Sequence, residues 1–278
     1  MTVLDCNGRP LVLDSAVVMG ILNVTPDSFS DGGCFLDRKS AVSRAVAMQQ
    51  AGAAIIDVGG ESTRPGAALV SAEEEMERVV PVIESLRTEL DIPLSVDTSK
   101  PEVMAEAVRA GAGMINDVNA LRAEGAVELA AELGVPLCLM HMQGEPRTMQ
   151  KAPSYTDVVG EVRSFLQERL ACCREAGIAE GKVLVDPGFG FGKTLAHNLA
   201  LLRNLHRFAD LGAGVLAGIS RKSMLGALTG RDADERLAAS LAAAVLAVER
   251  GAVVVRVHDV AETVDALSIV KAVTGSDE

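Results

Sequence analysis

Continuous runs of apolar and β-branched residues recur along the chain, and each breaks into polar residues and glycine before an amphipathic stretch begins. Consecutive rather than alternating apolar positions are what strands buried on both faces of a parallel sheet require. The runs fall at residues 17–24, 54–58, 94–96, 114–116, 137–140, 183–186, 214–219 and 253–257, giving eight predicted strands. Helix signals lie between them. Ser71 precedes Glu73, Glu74 and Glu75, which places acids where a helix dipole favours them, and Ser99-Lys100-Pro101 puts a proline where a first turn tolerates it. Gly52, Gly111, Gly134 and Gly177 close alanine-rich stretches as C-terminal caps do, and Pro81 is expected to kink a helix over 72–90. Asn7-Gly8, between two short apolar runs, predicts a hairpin within residues 1–15 that could plug one end of a barrel.

Alternating strands and helices permit a doubly wound sheet or a closed barrel; eight units favour closure, an α/β fold of the (β/α)8 TIM-barrel type. The 278 residues suit one barrel domain spanning 1–278, since such barrels reach roughly 250 residues as a single unit. In a barrel of this kind the loops after the strands converge on one face, so the residues following each run are the candidates for chemistry. They are Asn23 with Asp27, Asp57 with Glu61, Asp97, Asn116 with Asp117, His141, Asp186, Ser220 with Arg221 and Lys222, and Arg256 with His258 and Asp259. The opposite strand ends carry Gly, Ala, Pro and Val.

Composition narrows the function. A formal charge of −12 argues against a broad surface for nucleic acid or anionic lipid, so an anionic substrate needs a local cationic pocket. Five cysteines without CxxC spacing fit neither a disulfide framework nor a structural zinc site and suit the reducing cytoplasm. The first residues lack a cationic segment followed by an apolar core, and no apolar run reaches the ~20 residues of a spanning helix, so a soluble, cytoplasmic chain is expected.

Charge sorts the rim into two sets. Asp97, Asn116 and Asp186, flanked by apolar residues, project into a partly dry pocket and suit a heterocycle whose guanidine-like edge donates N–H bonds; Lys222 neutralises part of this set. A buried Asp–Lys pair that only fixes loops is the alternative. Arg64, Arg256, His258 and Asn23 read as an oxyanion clamp for phosphate or pyrophosphate, with Asn23 able to offer an oxygen to Mg²⁺, although Arg64 alone also fits a solvated surface position. Arg256 and His258 share one strand face by alternation. The loops 25–33 and 59–66 read as mobile lids or as ordinary ordered loops, and Ser220-Arg-Lys-Ser223 opens a helix whose N-terminus could hold a carboxylate. His197, His206, Cys172, Cys173 and the methionines Met140, Met142 and Met149 read as packing or surface residues, Met140 also as a possible wall of a flat-ring site. No spacing suggests a nucleophilic dyad for Cys34.

Met19-Gly-Ile-Leu-Asn-Val-Thr-Pro-Asp-Ser-Phe-Ser-Asp-Gly-Gly33 and Gly59-Gly-Glu-Ser-Thr-Arg-Pro-Gly66 resemble the first two signature loops of bacterial dihydropteroate synthases. Ser95-Val-Asp-Thr-Ser99, Ile115-Asn-Asp117, Met140-His-Met-Gln-Gly144, Asp186-Pro-Gly-Phe-Gly-Phe-Gly-Lys193, Ser220-Arg-Lys-Ser223 and Arg256-Val-His-Asp259 continue the resemblance in family order. It implies condensation of 6-hydroxymethyl-7,8-dihydropterin pyrophosphate with p-aminobenzoate, with Mg²⁺ as cofactor, by a dissociative route through a pterin methylene cation. Asp97, Asp186, Lys222, Arg256 and His258 would be the catalytic set. Asp97, Asn116, Met140, Asp186, Phe191, Gly218 and Lys222 would bind the pterin, Asn23, Arg256 and His258 the pyrophosphate, and Phe29, Asp31, Thr63, Arg64, Pro65 and Ser223 the p-aminobenzoate, with Asn23 at the metal. Family members dimerise through barrel helices, and the run 237–248 suits such an interface or ordinary packing. The competing readings are a pterin-binding methyltransferase domain, which has no need for the 220–223 and 256–258 groups, a non-catalytic pterin-binding paralogue, which would have lost a loop or phosphate residue, and a phosphate-binding barrel isomerase, which wants a catalytic base and a glycine-rich phosphate loop.

Overall fold

The computed structural model describes residues 2–25, 33–62 and 69–274. Eight parallel strands close into a barrel in chain order: β3 (Val17–Asn23), β4 (Ile55–Gly59), β5 (Leu94–Asp97), β6 (Met114–Asp117), β7 (Leu137–Met140), β8 (Val183–Asp186), β9 (Gly214–Ala217) and β10 (Ala252–Val257), which returns to β3. The apolar runs and the strands coincide to within one or two residues. The seventh ends earlier than its run, because Gly218 leaves the ladder as the chain turns and Lys222 N–H bonds the Ile219 carbonyl at 3.2 Å. Helices α1 (Gly33–Gln50), α2 (Ala72–Glu89), α3 (Pro101–Ala110), α4 (Ala126–Leu133), α5 (Val158–Glu175), α6 (Leu195–Arg203), α7 (Ser223–Thr229), α8 (Leu237–Val248) and α9 (Val260–Thr274) cross back between strands. Among the described residues, no helix is long and apolar enough to cross a membrane.

The helix boundaries follow local chemistry. Ser71 Oγ accepts from Glu74 N–H at 3.2 Å, which satisfies a donor that the first turn of α2 leaves open, and Pro101 opens α3 after Lys100. The α2 helix continues through Pro81 to Glu89. Glu75 stands in the first turn of α2 as expected; it is also buried, and Lys100 Nζ bridges it and Glu61 at 2.5 Å each.

Residues alternate between the inside and outside of the barrel, and the inside divides along its axis. At the N-terminal end Met19, Ile55, Met114, Cys138, Leu184, Leu216 and Val254 pack with Leu4, Cys6, Leu11 and Leu13. Those last four belong to the antiparallel pair β1 (Val3–Cys6) and β2 (Arg9–Val12) and its extension, so the expected hairpin is the barrel's floor. Its turn places Asn7 and Gly8 at φ 56° and 82°, the left-handed backbone that a two-residue hairpin needs. Arg9 anchors it by donating to the carbonyls of Ile92 at 2.9 Å and Arg87 at 2.6 Å. With the floor sealed by apolar contacts, the polar residues on the strands gather at the opposite end.

Leu11, 1% exposed in the floor, gives the expected test. Leu11→Ala is expected to lower the unfolding free energy by about 2–5 kcal/mol, as deletion of buried leucine methyls does. Urea denaturation measures it, and a loss below about 0.5 kcal/mol would show that the hairpin does not close the core.

Candidate active site

At the C-terminal rim, the side chains left by inside-outside alternation are Asn23, Asp57, Asp97, Asn116, Met140, Asp186 and Arg256, with Lys222 reaching in from the loop after β9. Strand register brings them together. Asn23 lies beside Gly59 and Gly59 beside Asp97, Asp97 beside Asn116, and Met140 beside Asp186. Arg256, on the strand that closes the barrel, crosses to the other side: its Nε donates to Asp57 Oδ2 and its Nη2 to Asp97 Oδ2, both at 2.6 Å. Asn116 Nδ2 donates to the same Asp57 oxygen at 2.9 Å. Two of the three guanidinium nitrogens are thus committed to carboxylates on the side of the rim assigned to the heterocycle. Burial works against the charge, yet Asp57 and Asp97 hold the Arg256 pKa above its ordinary value.

The same burial acts on the acids. It pushes Asp97 above the usual carboxylate range, against the pull of the Arg256 guanidinium, which favours the ionised form. Asp186, 5% exposed, is raised by burial too, while Lys222 and the Gly188 N–H bonded at 2.7 Å favour its ionised form. Burial lowers Lys222 to about 8, with Asp186 opposing the shift. Lys222 Nζ donates to the Phe189 carbonyl at 2.5 Å and sits 4.6 Å from the centre of the Phe191 ring. Gly218 lies beside this pair, where a Cβ would make only ordinary contacts at 3.8 Å from both Asp186 Oδ2 and Lys222 Nζ. Met140, Met142 and Met149 pack together against Phe191 and Val118, which makes an apolar wall beside the charged set.

His258 stands one residue beyond β10, with Nδ1 3.1 Å from Ser220 Oγ, which also accepts the His258 backbone N–H at 3.2 Å. Burial first, and Arg256 second, lower its pKa to about 4, so the ring is neutral at pH 7. Arg221, at φ 57°, donates through Nε to Asp259 at 2.9 Å and ties the loop after β9 to the end of β10. Ser223 opens the short helix α7 directly after Lys222. Phe29, Asp31, Thr63, Arg64 and Pro65 lie outside the described residues.

Several partners at the rim were not legible from residue types. Asp57 is fully buried and accepts two of the bonds that organise the site. Lys193, 3% exposed, closes the glycine-rich loop after β8: its Nζ lies 2.9 Å from His141 Nδ1, 3.3 Å from the His141 carbonyl and 3.0 Å from the Phe191 carbonyl. Gly188, at φ +72°, permits the close approach of this loop, because a Cβ would come within 1.9 Å of the His141 carbonyl oxygen. Both residues stood in the motifs of the sequence, and only their pairing was hidden. Asp117 is satisfied by Ser99 Oγ at 2.5 Å and by the N–H groups of Asn119 and Leu121 at 2.7 Å, so it holds the following loop.

A model of pterin-binding enzymes matches residues 19–258. The dihydropteroate synthase of Escherichia coli is 54% identical over 275 residues, covering 99% of this chain and 98% of that protein. A solved dihydropteroate synthase of Xanthomonas albilineans with 4-aminobenzoic acid is 55% identical, with a TM-score of 0.94 and 99% of each chain covered. Another, in complex with 7,8-dihydropteroate, is 52% identical with a TM-score of 0.91, covering 99% of this chain and all of that one (100%). The fold and rim thus define a pterin-binding barrel enzyme. The chain belongs to the dihydropteroate synthase family, whose members are transferases.

The buried histidines give a pH prediction. Burial lowers His141 to about 3 and His258 to about 4, below the ordinary 6.5 that the unfolded chain retains. Between those values the unfolded chain binds protons that the folded chain refuses, so the stability these rings contribute is present above 6.5 and declines as pH falls toward 4 and then 3. Ring-proton NMR is expected to show both histidines neutral in the folded protein at pH 5.5; titration of either near 6.5 would contradict the burial argument.

Proposed function

We propose that this chain condenses 6-hydroxymethyl-7,8-dihydropterin pyrophosphate with p-aminobenzoate to 7,8-dihydropteroate and pyrophosphate. The observation that carries the reading is the gathering of Asp97, Asn116, Asp186 and Lys222 at one rim, beside the apolar wall of Met140 and Phe191. Asp186 and Asn116 accept the N–H donors of the pterin's guanidine-like edge, the flat ring lies against the apolar wall, and Lys222 donates to a ring acceptor. Gly218, beside Asp186 and Lys222, flanks the ring in this reading.

The reaction is dissociative in this reading. The C–O bond to the leaving group breaks first, with both electrons departing on pyrophosphate, and the methylene carbon left behind is a cation delocalised into the pterin. The carboxylates around the ring stabilise that developing charge. The arylamine nitrogen then forms the C–N bond and loses one proton to solvent. No protein nucleophile takes part. Arg256, His258 and Asn23 face the leaving group, and because His258 is neutral when free, the arriving anion favours its protonation.

Mg²⁺ fits as an ion shared with the substrate. Among the described residues no three acidic, histidine or cysteine side chains are placed to hold a metal, whereas Asn23 offers an amide oxygen beside Gly59 at the rim. A hard cation that keeps its waters and takes substrate phosphate oxygens needs little more from the protein. When bound it neutralises the departing pyrophosphate. Phe29, Asp31, Thr63, Arg64 and Pro65 on the two signature loops, with Ser223, form the p-aminobenzoate side of this reading, supported by the family's motifs. Among the described residues Cys6, Cys138, Cys172 and Cys173 are free thiols, which suits a reducing cytoplasm. The exposed apolar Leu228, Leu246, Ile269 and Val273 on α7, α8 and α9 suit a homodimer formed through these helices.

Release of pyrophosphate from the pterin pyrophosphate, followed with and without p-aminobenzoate and Mg²⁺, is the test. Mg²⁺-dependent release coupled to dihydropteroate formation is expected, with slower release when the arylamine is withheld. No release under any condition would sink the assignment. Asp186→Asn is expected to weaken binding of 6-hydroxymethylpterin roughly tenfold to a hundredfold, the scale of a hydrogen bond to a charged group. Calorimetry reads that loss, and unchanged affinity would remove Asp186 from the pterin site.

A further inference from the structure

An asparagine amide has one accepting end and one donating end of nearly the same shape, so Asn116 offers a ligand an acceptor or a donor according to which way it is turned. The rim contains the group that decides. Asn116 Nδ2 lies 2.9 Å from Asp57 Oδ2, and that oxygen also receives Arg256 Nε at 2.6 Å. A guanidinium has only donors, so Oδ2 must be an acceptor; an acceptor can face only the NH2 end of the amide. The order runs from Arg256 to Asp57 to Asn116, and it leaves Asn116 Oδ1 as the end free for a ligand.

Two observations separate this from simple charge pairing. Asp97 already supplies Arg256 with a carboxylate at 2.6 Å, so a second is not needed to neutralise it. Asp57 is moreover fully buried with its other oxygen, Oδ1, lacking a hydrogen-bond partner, an arrangement that favours stability less than an apolar side chain of similar size would. We propose that Asp57 is a positioning residue: it fixes the sense of the Asn116 amide, so that the pocket presents an oxygen there and selects heterocycles with an N–H donor at that point. This rests on the pterin reading of the site.

Calorimetric binding of 6-hydroxymethylpterin to the purified protein and three variants tests it. Asp57→Ala frees the amide to turn and is expected to weaken binding on the order of tenfold, one hydrogen bond reversed. Asp57→Asn retains an oxygen for both donors and is expected to stay within about threefold of the original protein. The double variant Asp57→Ala with Asn116→Asp is the discriminating arm, since a carboxylate presents oxygen whichever way it turns; it is expected to recover most of what Asp57→Ala loses. Unchanged binding by Asp57→Ala, or a double variant no better than Asp57→Ala, would overturn the proposal. Failure of the original protein to bind the pterin would instead defeat the reading of the site. Should Asp57→Ala not fold, neutron diffraction on the unmodified protein decides: deuterons on Asn116 directed at Asp57 Oδ2 support the proposal, and the amide oxygen facing Asp57 refutes it.

Discussion

A single guanidinium, that of Arg256, spans the mouth of the barrel and holds Asp57 and Asp97 at 2.6 Å each, and the rest of the site is arranged around that bridge. The residues come from the second, third and last strands of the barrel, 199 and 159 positions apart, so the bridge exists only when β10 has returned to β3. Buried charge of this kind is tolerated because each member has an opposite partner; removing one partner from such a set leaves an unpaired charge, at a cost of about 3–5 kcal/mol. The acids that would stabilise a pterin cation are therefore kept close together by a cation of the protein's own.

The division of the barrel interior makes this possible. The floor is apolar, packed by the hairpin leucines against one residue from most of the strands, while the rim collects three aspartates, two asparagines and two cations. Outside the barrel, the helices bury a continuous apolar layer against the other strand faces. Stability and chemistry thus occupy opposite ends of the same strands. The loops between them are pinned separately: Lys193 on His141 and Phe191, Lys100 on Glu61 and Glu75, Arg221 on Asp259.

Much of this was legible in the sequence because parallel strands buried on both faces are unbroken apolar runs, and their ends show as the first polar residue. Asp97, Asn116, Asp186, Lys222 and Arg256 emerged that way, and the structure brings them to one rim. Pairing was not legible. Nothing in residue type distinguishes Asp57, the acceptor at the centre of the site, from Asp117, which holds the loops after β5 and β6; the difference is whether alternation turns the side chain inward. Arg256 showed as a cation at a strand end, but its pairing with Asp57 and Asp97 did not, because those carboxylates lie on distant strands. Glu75 showed as the helix-terminal acid it is, but its burial against Lys100 did not. The residues Phe29, Asp31, Thr63, Arg64 and Pro65 rest on motif alone, since they lie outside the described residues.

The central claim is that the rim is assembled before substrate arrives, with Arg256 locked on Asp57 and the accepting groups of Asp186 and Asn116 open to the pterin. A crystal structure of the protein with 6-hydroxymethylpterin and pyrophosphate tests it most directly. The guanidine-like edge of the pterin is expected within hydrogen-bonding distance of Asp186 and of Asn116 Oδ1, with Arg256 still on Asp57. A pterin bound away from Asp186, or an Arg256 that has left Asp57 to make the site, would contradict it.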